Sequence, residues 1–139
     1  RRVSIEQEIL NKSHVVAVVG LSSKPERPSY VVASYLKEHG YRIIPVNPTE
    51  KEVLGETSYP DLLSVPVPVD VVDIFRRSED VPPIVDQAIK MGAKAVWMQE
   101  GVMSEAAAAR AREAGLLVVM DKCMRKMHEK LHGGSAQKE

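Results

Sequence analysis

The stretch Val15-Val16-Ala17-Val18-Val19-Gly20, followed by Leu21-Ser22-Ser23-Lys24-Pro25-Glu26-Arg27-Pro28-Ser29, decides the fold. A run that is apolar at every position buries both of its faces, which is the pattern of a central strand in a parallel sheet. Gly20 ends the run and a polar loop follows. Ser29 is then placed to cap a helix in which Val32, Ala33 and Leu36 recur at helical spacing up to Gly40.

The same alternation continues in both directions. Upstream, Ser4 and Gln7 form a capping box for a short helix running to about Lys12. Downstream, Arg42 to Val46 reads as a second strand stopped by Asn47-Pro48, and Val53 to Val67 as irregular, with a helical turn at Asp61 to Ser64. Val69 to Phe75 is the third strand. A helix follows from Ser78, with Pro82 in its first turn and Gly92 as its stop. Ala95 to Met98, Ser104 to Ala114, Leu116 to Met120 and Lys122 to Leu131 then read as strand, helix, strand, helix.

Strand–helix alternation repeated in this way predicts a single α/β domain over residues 1–132. It is a Rossmann-like, doubly wound five-stranded parallel sheet in three layers, with residues 133–139 as a flexible tail. Right-handed crossovers favour the strand order 3-2-1-4-5, with the first strand central. In that order the third strand is an edge, so Asp73 on it is expected to reach water or a loop N–H.

Composition narrows the functional classes. With 139 residues the chain can build a core without a metal or disulfide staple. Nineteen Lys and Arg balance nineteen Asp and Glu, so no global field attracts nucleic acid or an anionic membrane, and any anion site must be local. Cys123 is the sole cysteine, which excludes an intrachain disulfide and a thiolate zinc cluster. No apolar run approaches the roughly 20 residues that span a bilayer. The start, with Arg1, Arg2, Glu6 and Glu8, has no signal-peptide core, so the expected location is the cytoplasm.

In doubly wound sheets ligands bind beyond the carboxyl ends of the strands, where the strand order reverses. That rule selects Gly20 to Ser29, Asn47 to Lys51, Phe75 to Arg77 and Gln99 to Gly101, with Cys123 near the same edge. In the first loop, Gly20 permits a tight turn that brings backbone N–H groups to a phosphate. Ser22, Ser23 and Ser29 add hydroxyls, and Lys24 and Arg27 add charge. A solvated turn carrying surface charges is the bland alternative. At the second strand, a fold that holds NAD usually places Asp or Glu to grip the ribose. Here Val46-Asn47-Pro48 stands there, which argues against NAD.

These residues carry a resemblance. The turn Gly20-Leu21-Ser22-Ser23 with Pro25, Arg27 and Ser29, and the strand end Pro45-Val46-Asn47-Pro48, resemble the small CoA-binding proteins of bacteria and archaea. So do Asp70 to Arg76, Gly92 to Gln99, and Met120-Asp121-Lys122-Cys123-Met124. That family is in turn similar to the N-terminal domain of the succinyl-CoA synthetase α subunit. The resemblance runs from about His14 to Met124. It implies coenzyme A as the cofactor, with Gly20, Ser22 and Ser23 at its phosphates and Val46, Asn47, Pro48 and Lys51 beside the adenosine. It also implies Phe75, Arg76 and Val81 along the pantetheine arm, and Gln99 and Gly101 at the far end. The synthetase has a second glycine in the first loop where this chain has serine. Its phosphorylated histidine and ATP-grasp partner belong to other domains.

The expected function is therefore non-catalytic binding of CoA or a short acyl-CoA. Alternatives are a CoA-presenting component that works with an ATP-grasp partner chain, or an NAD- or nucleotide-binding module. A homodimer is left open; nucleic acid and membrane partners are not expected. No catalytic or metal set is assigned. Cys123 opens a helix at the pocket edge, as pocket lining or as a thiol able to pair with that of CoA. His128 and His132 read as a solvated helix end.

Overall fold

The computed structural model describes residues 3–133. Along the chain run α1 (Ile5–Lys12), β1 (Val15–Val19), α2 (Pro28–Glu38), β2 (Arg42–Val46), and a short hairpin of β3 (Glu52–Val53) and β4 (Glu56–Thr57). Then come β5 (Val71–Ile74), α3 (Val81–Met91), β6 (Ala95–Met98), α4 (Glu105–Glu113), β7 (Leu117–Val119) and α5 (Met124–His128), extended by a wider π-type turn over Glu129–Gly133. The tail expected over 133–139 lies outside the described residues except for Gly133. Among the described residues no helix is long and apolar enough to cross a membrane.

Local chemistry explains most boundaries. Ser4 caps α1, its side chain accepting from the Gln7 N–H, and Ser104 caps α4 by accepting from Ala107. Gly92 closes α3 in the left-handed conformation. The helix after the first loop corrects one expectation: α2 begins at Pro28, with Arg27 at the N-cap, and Ser29 sits inside its first turn. Proline at the first helical position sets the start, because its fixed φ suits a helix and it has no N–H to leave unpaired. The Ser29 hydroxyl instead accepts from the Ser22 N–H at 3.0 Å, tying the loop to the helix.

The five-stranded sheet is parallel and runs β2-β1-β5-β6-β7. Alternate residues of β1 feed the two faces. Val16 and Val18 pack under α1, α2 and α5 with Trp97 and Leu36; Ala17 and Val19 pack with Val85, Ala107 and Ala111 of α3 and α4. The three layers are as expected.

The strand order is not. Counting only the strands of this sheet, it is 2-1-3-4-5, because β5 returns to the free edge of β1 rather than continuing outward from β2. The outer edge of β2 is already taken: the Tyr59 N–H donates to the Pro45 carbonyl, and the Asn47 N–H donates to the Tyr59 carbonyl. Pro45 has no N–H to offer a further strand.

This reordering overturns the expectation for Asp73. It lies on a central strand, in register with Val18 of β1 and Trp97 of β6, and is fully buried. Neither carboxyl oxygen has a hydrogen-bond partner. Burial pushes its pKa well above the usual carboxylate range, which favours the neutral acid.

Candidate functional site

The order 2-1-3-4-5 moves the reversal point to the gap between β1 and β5, and a cleft of about 720 Å³ opens at their carboxyl ends. That volume is in the range of small-molecule and cofactor sites. One wall is the start of α2, with Pro28, Ser29, Val31 and Val32. The opposite wall is the start of α5, with Cys123, Arg125 and Lys126. Gly20, Phe75, Arg76 and Gln99 lie at the strand ends between them.

The two loops at the reversal point touch through backbone. Gly20 has φ +88°, and a Cβ placed on it would lie 2.3 Å from the Phe75 carbonyl oxygen and 3.3 Å from Nε of Arg76. Glycine is therefore required here by the approach of the Phe75–Arg76 segment. The loop N–H groups expected to face a phosphate are largely spent within the protein. Gly20 donates to the Val46 carbonyl, Ser22 to the Ser29 hydroxyl, Ser23 to Glu50 and Lys24 to the Ser22 hydroxyl.

The groups left over define what the cleft can bind. At the start of α2 the Ser29 and Tyr30 N–H groups have no protein acceptor among the described residues, and the helix dipole adds positive potential there. Arg27 and Arg76 make no ion pair among the described residues, whereas Arg77, Arg125 and Lys126 are matched by Asp80, Glu129 and Glu100. Two guanidinium groups without an ion pair among the described residues, beside a helix amino end, could receive an anion. Glu26 lies on the same rim and keeps the field local. Val31, Val32, Phe75 and Val102 supply an apolar lining beside it.

Of the residues expected in the site, Gly20, Ser22, Arg27, Ser29, Phe75, Arg76, Gln99 and Cys123 line this cleft together. Val46 and Pro48 line a smaller neighbouring groove of about 160 Å³ that shares Arg76. Ser23, Lys24 and Lys51 are exposed outside it. Leu21 and Val81 are fully buried in opposite core layers, because the one points in beneath α2 and the other opens the apolar face of α3. Asn47 is a buckle between loops. Its Nδ2 donates to the Leu21 carbonyl at 3.0 Å, and its Oδ1 accepts from both the backbone and the hydroxyl of Thr49. Gly101 is exposed, its N–H donating to Asp121 at 2.7 Å. Arg125 and Lys126 were missed in the sequence; nothing short of the packing of α5 beside the cleft marks them.

Cys123 is the N-cap of α5, 7% exposed. It is held there by Trp97, whose indole N–H donates to the Lys122 carbonyl, and by Gln99, whose Oε1 accepts from the Met124 N–H. Among the described residues no group of three or more His, Cys, Asp or Glu side chains is placed to hold a metal ion. His128 is buried against Tyr35, which corrects its reading as a solvated helix end. A second cleft, about 580 Å³, lies at the amino edge of the sheet, where the Asp70 carboxylate is occupied by the His14 and Val15 N–H groups.

Comparisons with known proteins agree with this fold. YneT of Bacillus subtilis (strain 168), an uncharacterized protein, is 40% identical over 122 residues, covering 88% of this chain and 90% of its own. The solved structure of a hypothetical protein from Pyrococcus horikoshii OT3 superposes with a TM-score of 0.89 at 43% identity, covering 94% of this chain and 93% of that one. The α subunit of acetate–CoA ligase (ADP-forming) I from Pyrococcus furiosus is 34% identical over 95 residues, or 64% of this chain and 21% of that subunit. The chain thus corresponds to about a fifth of the ligase subunit. Residues 14–129, from the first strand through the helix that walls the cleft, match the family model described as a CoA binding domain, and the chain belongs to that family.

Proposed function

We propose that the cleft reversibly holds coenzyme A or a short acyl-CoA and that the chain alone performs no chemistry on it. The observation that carries this reading is the anion site at the β1–β5 reversal. Two arginines without an ion pair among the described residues, and the unbonded first N–H groups of α2, share a cleft of nucleotide-cofactor size with an apolar lining. Phosphate and adenosine recognition need the charged end, and a pantetheine arm suits the apolar part beside Phe75 and Val102. NAD is disfavoured because Asn47 spends its side chain on Leu21 and Thr49 and offers no carboxylate to a ribose. Catalysis is disfavoured because no base is paired with Cys123 among the described residues: the imidazole on its helix, His128, is engaged by Tyr35. The ligase relatives support a second reading, in which a partner chain supplies catalysis and this one presents the thioester.

Free CoA is expected to raise the melting temperature, and NAD is not. At about 100 times its dissociation constant a ligand stabilises by roughly 2.7 kcal/mol, which moves the midpoint of a domain this size by several degrees. Arg76→Ala should weaken CoA binding roughly 10- to 100-fold, the loss of charge-assisted hydrogen bonds to phosphate. Equal shifts with both cofactors would remove the assignment.

Cys123 can be probed with CoA disulfide. Its thiol gives up a proton, the sulfur takes one CoA sulfur, and the other CoA leaves as the thiol. Intact mass should show one CoA adduct, reversed by dithiothreitol and absent in Cys123→Ser. A CoA-binding protein that forms no adduct would make Cys123 a packing residue.

A further inference from the structure

The end of α5 meets the end of α2 in a knot of rings. Nδ1 of His128 lies 2.8 Å from the Tyr35 hydroxyl, and the His39 ring stacks on the Tyr35 ring with centroids 3.9 Å apart. Three imidazoles crowd together: His39 and His128 at 5.3 Å, and His128 and His132 at 4.5 Å. Tyr41 closes the knot edge-on to His128 at 5.8 Å and donates its hydroxyl to the Leu10 carbonyl of α1. These helices are the two walls of the cleft. α2 gives it Ser29 and Val32, and α5 begins at Cys123 and gives it Arg125 and Lys126.

We propose that Tyr35, His39, His128 and His132 form an acid-released latch that fastens α5 to α2 and so holds the two walls of the cleft together at neutral pH. The chemistry runs in one direction. In the Nε2–H tautomer of neutral His128, Nδ1 accepts from the Tyr35 O–H. A protonated ring donates from both nitrogens, so the hydroxyl must turn and its own proton loses its acceptor. His39 is fixed by its Nδ1–H donating to the Tyr35 carbonyl at 2.7 Å, so it cannot swing away without unstacking. A proton on His39 or His132 puts a like charge about 5 Å from one on His128.

The groups acting on His128 come from both helices. Burial, His132 and His39 lower its pKa from the ordinary 6.5, and Glu129, itself paired with Arg125, opposes them weakly. Burial also raises the pKa of Tyr35 and Tyr41, so both stay neutral through the range. A base whose folded pKa is depressed lends stability that is complete above its unfolded value and is lost as pH falls through that value towards the folded one. The latch therefore weakens below about pH 6.5. That its opening weakens ligand binding rests on the CoA reading; the opening itself does not.

Hydrogen exchange of the full chain without ligand tests the latch. Corrected for intrinsic rates, protection over residues 124–131 is expected to fall several-fold from pH 7.5 to 5.5, below the roughly tenfold ceiling that a single imidazole of open-state pKa 6.5 sets, while β1 and β2 keep theirs. His39→Gln with His132→Gln, both at exposed positions, should make that fall smaller, while burial of His128 keeps part of it. His128→Phe, which keeps a ring in the buried site, should abolish it. A pH-independent α5, or a fall unchanged in the exposed-position double variant, overturns the latch. CoA affinity is measured in parallel, and the part of its pH dependence removed by the variants reports the coupling. Affinity with the same pH dependence in wild type and variants overturns the coupling. Opening of α5 with no CoA binding at either pH supports the latch and sinks the ligand assignment instead.

Discussion

Asp73→Val is expected to stabilise the protein at neutral pH by about 1–3 kcal/mol, the cost of a buried polar group left without a partner. The site is prepared for an apolar side chain. Val18 and Trp97 flank it on the neighbouring strands, its own strand is buried throughout, and both carboxyl oxygens are orphaned. The effect carries a pH signature. The unfolded chain releases this proton near the ordinary value of 3.8, while burial keeps it bound in the native state well above that. Between the two values the native state holds more protons, so stability falls as pH rises, by up to about 1.4 kcal/mol per pH unit. The stabilising contribution is complete below the unfolded value and is lost as pH climbs through the folded one. Urea midpoints between pH 5 and 8 should therefore decline in wild type relative to Asp73→Asn, which keeps the shape and removes the titration. Parallel pH slopes in the two proteins would mean that the acid is ionised in the fold. A stabilised Asp73→Val protein that no longer binds CoA would assign the orphaned acid a part in the cleft.

Gly20→Ala should cost about 2–5 kcal/mol and abolish ligand binding. Two penalties combine. A side chain at φ +88° pays roughly 1–2 kcal/mol, and its Cβ would stand 2.3 Å from the Phe75 carbonyl oxygen, a backbone atom that cannot yield cheaply. Gly92→Ala is the control that separates them. Its φ of +82° is nearly the same, but nothing lies within 4 Å of the added Cβ. Gly92→Ala should cost only the conformational share, roughly 1–2 kcal/mol, and leave the cleft intact. Chemical denaturation of the two variants reads the difference directly. Equal costs would show that the β1 and β5 loops separate without penalty, which would contradict their backbone contact as the frame of the site.

Most elements were legible because their signals are local. The all-apolar run of β1, the Ser4 cap and the Gly92 stop act over a few residues, and each appears where the sequence predicts it. The residues at strand ends were legible as well, since position along a strand is a property of the chain itself. Gly20, Ser22, Phe75, Arg76 and Gln99 converge as expected, although the glycine is needed for backbone clearance against Phe75.

Strand order, by contrast, depends on which edges remain free after the loops have folded, and that is decided by Tyr59 and Pro45 closing the far side of β2. Everything downstream of that choice belonged to tertiary structure. It put Asp73 in the centre of the sheet and moved the reversal point to β1–β5. It set Arg76 over Gly20 and brought His39 into one knot with His128 and His132, 89 and 93 positions further along the chain. Apolar periodicity and capping residues dictate where helices and strands begin and end, because their energies are paid within one turn or one ladder. Which buried acid lacks a partner, and which charges remain free to hold a ligand, follow only from the neighbours that long-range pairing supplies.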